Sequence, residues 1–190
     1  EESAQLDSYR LNLALAKAAE KRGAELRIRK ANSLIVQQAS NKLNDRVTGL
    51  RTGDMEISCH SVVLASGIWS AELTKQLGFQ VPVRPLKGER LLLRYGGEPL
   101  SVLISSPKRG HMISRLDGLL SVGSTGGRDY DHQEAHLGRE YDQPTEGAKL
   151  ELLGRALDVF PELAGAELVQ QLAGSRPLSP DGKPIIGPVP

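Results

Sequence analysis

Apolar residues recur at helical spacing in two segments of the chain. In the first segment they stand at i, i+3, i+4 and i+7, as Leu11, Ala14, Leu15 and Ala18. This spacing predicts a helix over residues 8–22, capped by Asp7 and ended by Gly23. Because Ala and Leu dominate the segment, we expect the helix to be covered on most sides. A second helix is predicted over residues 146–160, ended by Pro161, with an apolar stripe of Leu150, Leu153, Leu157 and Phe160.

Shorter segments between these helices have the apolar patterns of strands. Before residue 60 the predicted strands are 25–29, 33–38, 47–51 and 55–58, and the polar turns between them indicate a small antiparallel meander. The continuous run 62–65 is typical of a strand covered on both faces, and Ser70 is the predicted N-cap of a short helix that ends before Gly78. Later strands are predicted at 90–95, 100–105, 111–115 and 119–122, the last two joined by an Asp117-Gly118 hairpin. The pattern predicts an α+β fold with a mixed, largely antiparallel sheet, helices on one face, and an irregular tail after residue 173.

Composition and charge exclude several classes of protein. The 190 residues carry 24 Lys and Arg against 23 Asp and Glu, so a strongly basic nucleic-acid binder and a polybasic membrane-surface module are excluded. No apolar run approaches the roughly 20 residues of a membrane-spanning helix. The single cysteine, Cys59, excludes an internal disulfide framework and a cysteine-based metal cluster, and the cytoplasm is the expected location. The chain begins at Glu1 without Met and ends in a turn-like tail, so we expect both ends to lie inside a longer protein.

The residues themselves give few candidates for chemistry. The chain lacks the G-x-S-x-G, H-E-x-x-H, P-loop and G-x-G-x-x-G motifs. Its candidate soft metal ligands are Cys59, His60, His111, His132 and His136. The i, i+4 pair formed by His132 and His136 lies in a very polar segment, and packing is the expected role of Cys59 and His60, so no metal site is predicted.

Arg176 is the side chain with the most specific surroundings. It precedes Pro177, which biases its backbone toward the extended region, and it is followed by a Pro- and Gly-rich turn. A guanidinium held on a stiff segment can grip a carboxylate with two parallel hydrogen bonds. An ion pair with one of the acidic residues of the chain is the other interpretation, and spacing alone leaves both open.

Four segments occur in an order that resembles a known family. They are residues 62–70 (VVLASGIWS), 82–89 (PVRPLKGE), 122–125 (VGST), and 173–177 (AGSRP) followed by 180–187 (PDGKPIIG). Together they resemble the D-amino-acid-oxidase-like flavoproteins, and most of all the glycine oxidases of the thiamine pathway. Sarcosine oxidases and D-amino-acid dehydrogenases are the next most similar groups.

The resemblance implies a fold and an activity. It implies FAD bound on a Rossmann-like domain, and oxidation of a small amino acid or amine (glycine, sarcosine or a D-amino acid) by hydride transfer to the flavin, with no protein acid–base pair required. Residues 1–78 would belong to the FAD-binding domain, 79–172 to the substrate-binding domain, and 173–190 to a return segment. The G-x-G-x-x-G unit that cradles the pyrophosphate is not in this chain, so we expect these residues alone neither to retain FAD nor to oxidise substrate.

The resemblance also implies roles for individual residues. Arg176 would grip the substrate carboxylate, and His111 stands where the family commonly has a tyrosine lining the substrate pocket. Ser66 and Gly67 match the turn that approaches the cofactor, and Asn32 aligns with an adenine-side contact. A dehydrogenase that passes electrons to a quinone or carrier protein and a non-catalytic interaction module remain the alternatives, and a homo-oligomer is left open.

Overall fold

The computed structural model describes residues 6–38, 40, 45–106, 110–125 and 142–188. The chain divides into two compact units, Glu1–Leu64 and Ala65–Pro190. The assignment of ranges to cofactor-binding and substrate-binding domains stays a prediction.

The first unit contains one helix and the predicted meander. Helix α1 spans Ser8–Glu20, and the Asp7 side chain accepts a hydrogen bond from the Arg10 N–H at 3.0 Å, as the capping prediction requires. Strands β1 (Ser33–Gln37), β2 (Arg46–Thr52) and β3 (Met55–Ser58) form an antiparallel sheet in that order. Three of the four predicted meander strands, 33–38, 47–51 and 55–58, are thus confirmed.

Three predictions in or next to this unit are wrong for the described residues. Helix α1 buries none of its residues, and its leucines are exposed, because apolar spacing shows which face can be buried but does not supply the surface that covers it. Residues 25–29 form no strand, and Ile28 is fully exposed. Residues 62–65 also form no strand, and Val63 is exposed. A strand requires a partner for its backbone hydrogen bonds, and neither segment pairs with a described strand.

The second unit is built on a five-stranded sheet with the order β5-β6-β7-β4-β8. The strands are β4 (Arg84–Arg94), β5 (Ile104–Ser106), β6 (Gly110–Ser114), β7 (Leu120–Gly123) and β8 (Glu167–Leu178). Each neighbouring pair is antiparallel. A 3₁₀ turn at Gly67–Trp69 leads into the short helix α2 (Ser70–Lys75), so Ser70 begins the helix instead of capping it. The predicted α+β class with its antiparallel sheet is confirmed.

Strand β8 is the main difference from the predicted strands. Residues 173–178, expected to be irregular, pair with the full first half of β4, with Leu86 opposite Arg176 and Pro85 opposite Pro177. Pro177 is tolerated because β8 is the edge strand of the sheet, and Pro85 lies in the part of β4 that β7 does not reach.

Helix α3 (Glu146–Val159) covers one face of this sheet and completes the core. The buried residues are Leu91, Leu93, Met112, Leu120 and Val122 from the sheet and Leu152, Ala156 and Leu163 from the helical segment. The helix bounds agree with the prediction, but Leu150 is exposed and Leu152 and Ala156 lie at the centre of the buried stripe. The apolar stripe predicted from the sequence is therefore displaced around the helix from the stripe that is buried. Its remaining members, Leu153, Leu157 and Phe160, are partly buried and pack against the core.

Candidate functional site

The two faces of β4 carry different kinds of residue. Successive side chains of a strand alternate between faces, and directly paired residues share a face. Leu91 and Leu93 point toward α3 with the rest of the core. Gly88 and Arg90 therefore lie on the opposite face, which we call the site face: it carries Gly88, Arg90, His111, Gly123 and Arg176.

Arg176 lies along the site face. Its guanidinium is above Gly88, where Nη2 is 3.1 Å from the position that a Cβ would occupy. The same Nη2 donates a hydrogen bond to the carbonyl oxygen of Thr125 at 3.3 Å. The guanidinium is thus exposed but held on a surface that has no side chain at residue 88.

Thr125 is itself fixed to β4 by two reciprocal hydrogen bonds. The Glu89 N–H donates to Thr125 Oγ1 at 2.9 Å, and the Thr125 N–H donates to the Glu89 carbonyl oxygen at 3.1 Å. The acceptor for Arg176 therefore has its position set by the strand beneath it.

The Glu89 carboxylate, on the α3 side of β4, joins three elements. It accepts hydrogen bonds at 2.8 Å from the Thr145 N–H, the Thr145 hydroxyl and Gln171 Nε2, and it pairs with Lys87 at 3.1 Å. Thr145 is the N-cap of α3, and a negative charge at this end of a helix interacts favourably with the helix dipole. Burial acts to raise the pKa of Glu89, but these hydrogen bonds outweigh it and the pKa is lowered. The Glu89 side chain is 3% exposed, and both oxygens of its charged carboxylate accept hydrogen bonds.

His111 and Arg90 lie on either side of Gly123 in one row across the sheet. A Cβ at Gly123 would be 3.5 Å from two imidazole atoms and 3.0 Å from the Arg90 Cβ. Burial lowers the pKa of His111, and the positive charges of Arg90 and Arg176 lower it further. The imidazole is therefore neutral near neutral pH, and the face it shares with two guanidinium groups is suited to an anion.

The predicted cofactor-side residues belong to different compact units, Ser66 and Gly67 to the second and Asn32 to the first. Gly67 has a φ of +57°, which favours glycine, and its 3₁₀ turn lies next to β8. Among the described residues, no atom lies within 4 Å of the position that its Cβ would take, so the backbone at Gly67 is open on that side, and its cofactor role stays a prediction. Ser66 Oγ is 3.0 Å from Ser70 Oγ.

Asn32 belongs to the other compact unit. Its Oδ1 accepts a hydrogen bond from the Gly53 N–H at 2.6 Å, which ties the start of the meander to the turn between β2 and β3. The structure thus gives Asn32 a local structural contact, and its role at the adenine stays a prediction.

The sequence analysis missed Arg90 and Thr125 as site residues. The alternation of Leu86, Gly88 and Arg90 was a signal that these residues share a face. Which of the two faces they occupy, and what lies opposite them, depends on pairing with β7 and β8. Arg176 and His111 lie on one face of the sheet, and their substrate-binding roles stay a prediction.

Other candidate features belong to the first unit or fall outside the described residues. An open hollow of about 400 Å³ on the meander is lined by Gln37, Arg46, Thr48, Ser58, Cys59 and His60. Within the described residues, no group of three or more His, Cys, Asp or Glu side chains is arranged to hold a metal ion. No helix in that part of the chain has the length and apolar character needed to cross a membrane. His132 and His136 lie outside the described residues.

Comparison with known proteins places the whole chain in one family. A family model described as FAD dependent oxidoreductase matches residues 1–190. The chain is 40% identical over 146 residues to glycine oxidase of Pseudomonas putida, a match that covers 76% of this chain and 37% of that protein. Its fold matches glycine oxidase from Geobacillus kaustophilus with a TM-score of 0.74 at 28% identity, covering 95% of this chain and 45% of that one. For iminodiacetate oxidase from a Chelativorans species the TM-score is 0.78 at 25% identity, with 95% and 45% covered. The chain spans less than half the length of these relatives, and it belongs to the family of FAD-dependent oxidoreductases that they share.

Proposed function

We propose that this chain forms the substrate-binding portion of an FAD-dependent oxidoreductase that oxidises a small amino acid or amine, such as glycine, sarcosine or a D-amino acid. The observation that carries this proposal is the position of the Arg176 guanidinium, which lies over Gly88 and is held at the Thr125 carbonyl on the face that also carries His111. The relatives named glycine oxidase support the class of substrate.

The residues of the site face have separate tasks in this proposal. Arg176 binds the substrate carboxylate through its planar guanidinium and so fixes the orientation of the neighbouring α-carbon. His111, neutral because of its lowered pKa, has a ring nitrogen that can accept a hydrogen bond from the substrate amine. FAD, when bound, supplies the two-electron acceptor, and the open backbone of the Ser66–Gly67 turn would lie against it.

The proposal also assigns the parts of the chain. Residues 1–78 belong to the FAD-binding domain, 79–172 to the substrate-binding domain, and 173–190 return to the FAD-binding domain. Because the chain spans less than half the length of its relatives, we propose that it neither retains FAD nor turns over substrate by itself. A flavin absorbance band in the purified chain, with hydrogen peroxide formed on addition of glycine, would contradict this part.

Substitution of Arg176 tests the site. In the full-length, flavin-containing protein, Arg176→Ala should lose about 2–5 kcal/mol of substrate binding, as expected when one partner of a desolvated charge pair is removed. The change is measured as kcat/KM for glycine, sarcosine and D-alanine, and Arg176→Lys should recover only part of the loss because ammonium lacks the planar pair of donors. If all three values are unchanged in Arg176→Ala, Arg176 does not bind substrate.

Oxygen uptake during turnover separates an oxidase from a dehydrogenase that uses a quinone or carrier.

A further inference from the structure

The imidazole of His111 lies over a position of the sheet that has no side chain. His111 on β6 is paired with Gly123 on β7, and Gly123 is paired with Arg90 on β4. The ring atoms Cε1 and Nε2 are each 3.5 Å from the position that a Cβ would occupy at Gly123. The ring therefore extends from β6 toward β7, with Nε2 at its leading edge.

The Arg176 guanidinium lies over a second glycine, Gly88, which it reaches from β8. Gly88 stands two residues before Arg90, the partner of Gly123, so the two glycines are diagonal neighbours roughly 7–8 Å apart. The guanidinium and the imidazole thus approach each other from opposite sides, and the charge of Arg176 helps to lower the pKa of His111.

This separation suits an amine and a carboxylate that are carried on one carbon atom. Hydrogen bonds of about 3 Å at each end let the carboxylate bind the guanidinium of Arg176 while the nitrogen reaches Nε2 of His111. Such a ligand contacts the two side chains and leaves the glycine backbone beneath them covered. Among the described residues, none forms a hydrogen bond with the imidazole, so Nε2 is available to a ligand.

Oxidation at the α-carbon requires a neutral amine. Loss of a hydride from that carbon leaves a positive charge that the lone pair of the neighbouring nitrogen must share, and an ammonium has no lone pair. Near neutral pH the nitrogen of a free amino acid is protonated. One proton must therefore leave the nitrogen before the hydride leaves the carbon.

The charges around His111 favour the loss of this proton. Among the described residues, the charged groups that act on the imidazole are Arg90 of β4 and Arg176 of β8. Its paired neighbours on β5 and β7 are the uncharged Ser105 and Gly123. The two guanidinium groups disfavour an ammonium here as they disfavour an imidazolium. A carboxylate bound at Arg176 offsets one of these charges, so the imidazole accepts a proton more readily when substrate is present.

We propose that His111 is the catalytic base of this site and that its Nε2 takes one proton from the substrate ammonium. An N–H bond of the ammonium breaks, a new N–H bond forms on the imidazole, and the amine keeps the electron pair that supports hydride transfer to the flavin. The imidazolium then releases the proton to water. This inference rests on the proposed function, because it adds a proton acceptor to the same site.

The pH dependence of kcat/KM tests this role in the full-length, flavin-containing protein with sarcosine and D-alanine. The native protein should show a constant kcat/KM between the pKa of His111 and that of the substrate amine. His111→Gln should use only substrate that is already neutral, so its kcat/KM should rise about tenfold per pH unit toward the pKa of the amine. The native protein should exceed this variant about a hundredfold or more at neutral pH, and the two should converge at high pH. The matched control His60→Gln, at an exposed histidine of the first unit, should follow the native profile.

A second variant tests the same role without removing the imidazole. Arg90→Gln removes one of the charges that lower the pKa of His111, so the acidic fall of kcat/KM should begin at a higher pH. Arg94→Gln, on the same strand, where the guanidinium pairs with Glu167, should leave this fall in place.

Proton uptake on binding of acetate tests the imidazole without turnover. Calorimetric titration in buffers of different ionisation enthalpy, near the pKa of His111, should show proton uptake by the native protein and none by His111→Gln. Equal uptake by the two proteins, or no uptake by either, overturns the inference.

The outcomes separate this inference from the proposed function. If sarcosine or D-alanine is oxidised but the profiles of the native protein and His111→Gln are parallel, His111 is not the base and the proposed function stands. An unmoved acidic fall in Arg90→Gln has the same meaning. If no amine is oxidised, the proposed function and the inference both fail.

Discussion

Replacing Glu89 by alanine removes the acceptor at which α3, β4 and β8 meet. The carboxylate accepts three hydrogen bonds of 2.8 Å and pairs with Lys87 at 3.1 Å. A hydrogen bond to a charged group contributes about 1.5–3 kcal/mol, but these donors share two oxygens and can be partly rehydrated after truncation. Removing one member of a buried ionic group costs about 3–5 kcal/mol, and we expect Glu89→Ala to lower the free energy of unfolding by this amount.

The effect of this substitution should depend on pH in a defined direction. The pKa of Glu89 is lowered from its ordinary value of 4.5. At pH values at which this side chain begins to be protonated in the unfolded chain, it is therefore still ionised in the folded protein. The stabilisation is therefore complete above about 4.5 and is lost as the pH falls through the lower pKa of the folded state. The difference between the native protein and Glu89→Ala should shrink over that acidic range.

Equilibrium urea unfolding followed by far-UV circular dichroism measures both effects. With a slope of about 2 kcal/mol per M, a loss of about 4 kcal/mol lowers the midpoint by roughly 2 M. The control is Glu151→Ala on the exposed side of α3, where the pair with Arg155 should contribute about 0.5 kcal/mol or less. A loss in Glu89→Ala no larger than in the control would refute the view that this carboxylate joins the helix to the sheet.

Three further predictions concern the site face. Gly88→Ala would place a Cβ 3.1 Å from Arg176 Nη2 and 3.2 Å from the Thr125 carbonyl oxygen, so KM for carboxylate substrates should rise several-fold. The control Gly154→Ala, at an exposed position of α3 with open space at its Cβ, should leave KM unchanged. Thr125→Val removes the hydroxyl that fixes the carbonyl acceptor of Arg176, and it should raise KM by up to about tenfold with a smaller effect on kcat. Thr125→Ser keeps the hydroxyl and should restore KM. Equal increases of KM in the two variants would contradict a positioning role for the hydroxyl. Because the pKa of His111 is lowered from 6.5, the unfolded chain protonates first as the pH falls below 6.5, so stability should fall there. His111→Gln should flatten this part of the Tm–pH curve, and an unchanged slope would contradict it.

The parts of the fold that were predicted from the sequence are those with strong local signals. Polar sequence separates the meander strands β1 to β3, and α3 follows its N-cap Thr145 and ends before Pro161. Residues 25–29 and 62–65 have equally strand-like composition, yet they form no strand. Their patterns describe side chains suited to a sheet, whereas a strand forms only when another strand satisfies its backbone.

The site was only partly predictable for a related reason. The positions of Arg176 and His111 came from the family resemblance, and their placement on one face follows from the register of β6, β7, β4 and β8. Arg90 and Thr125 have no motif of their own that marks them. Their importance comes from what lies next to them across the sheet, and single-sequence patterns do not give the register between strands so far apart in the chain.

Strand β4 has a consequence for how substrate preference can be altered. Residues 89, 91 and 93 hold the helix and the core, and residues 86, 88 and 90 form the surface on which we propose that substrate lies. Substitutions at residues 86, 88 and 90 can therefore reshape selectivity while leaving the interior untouched. A single-residue insertion in this strand would exchange the two sets, and activity and folding would then be lost together.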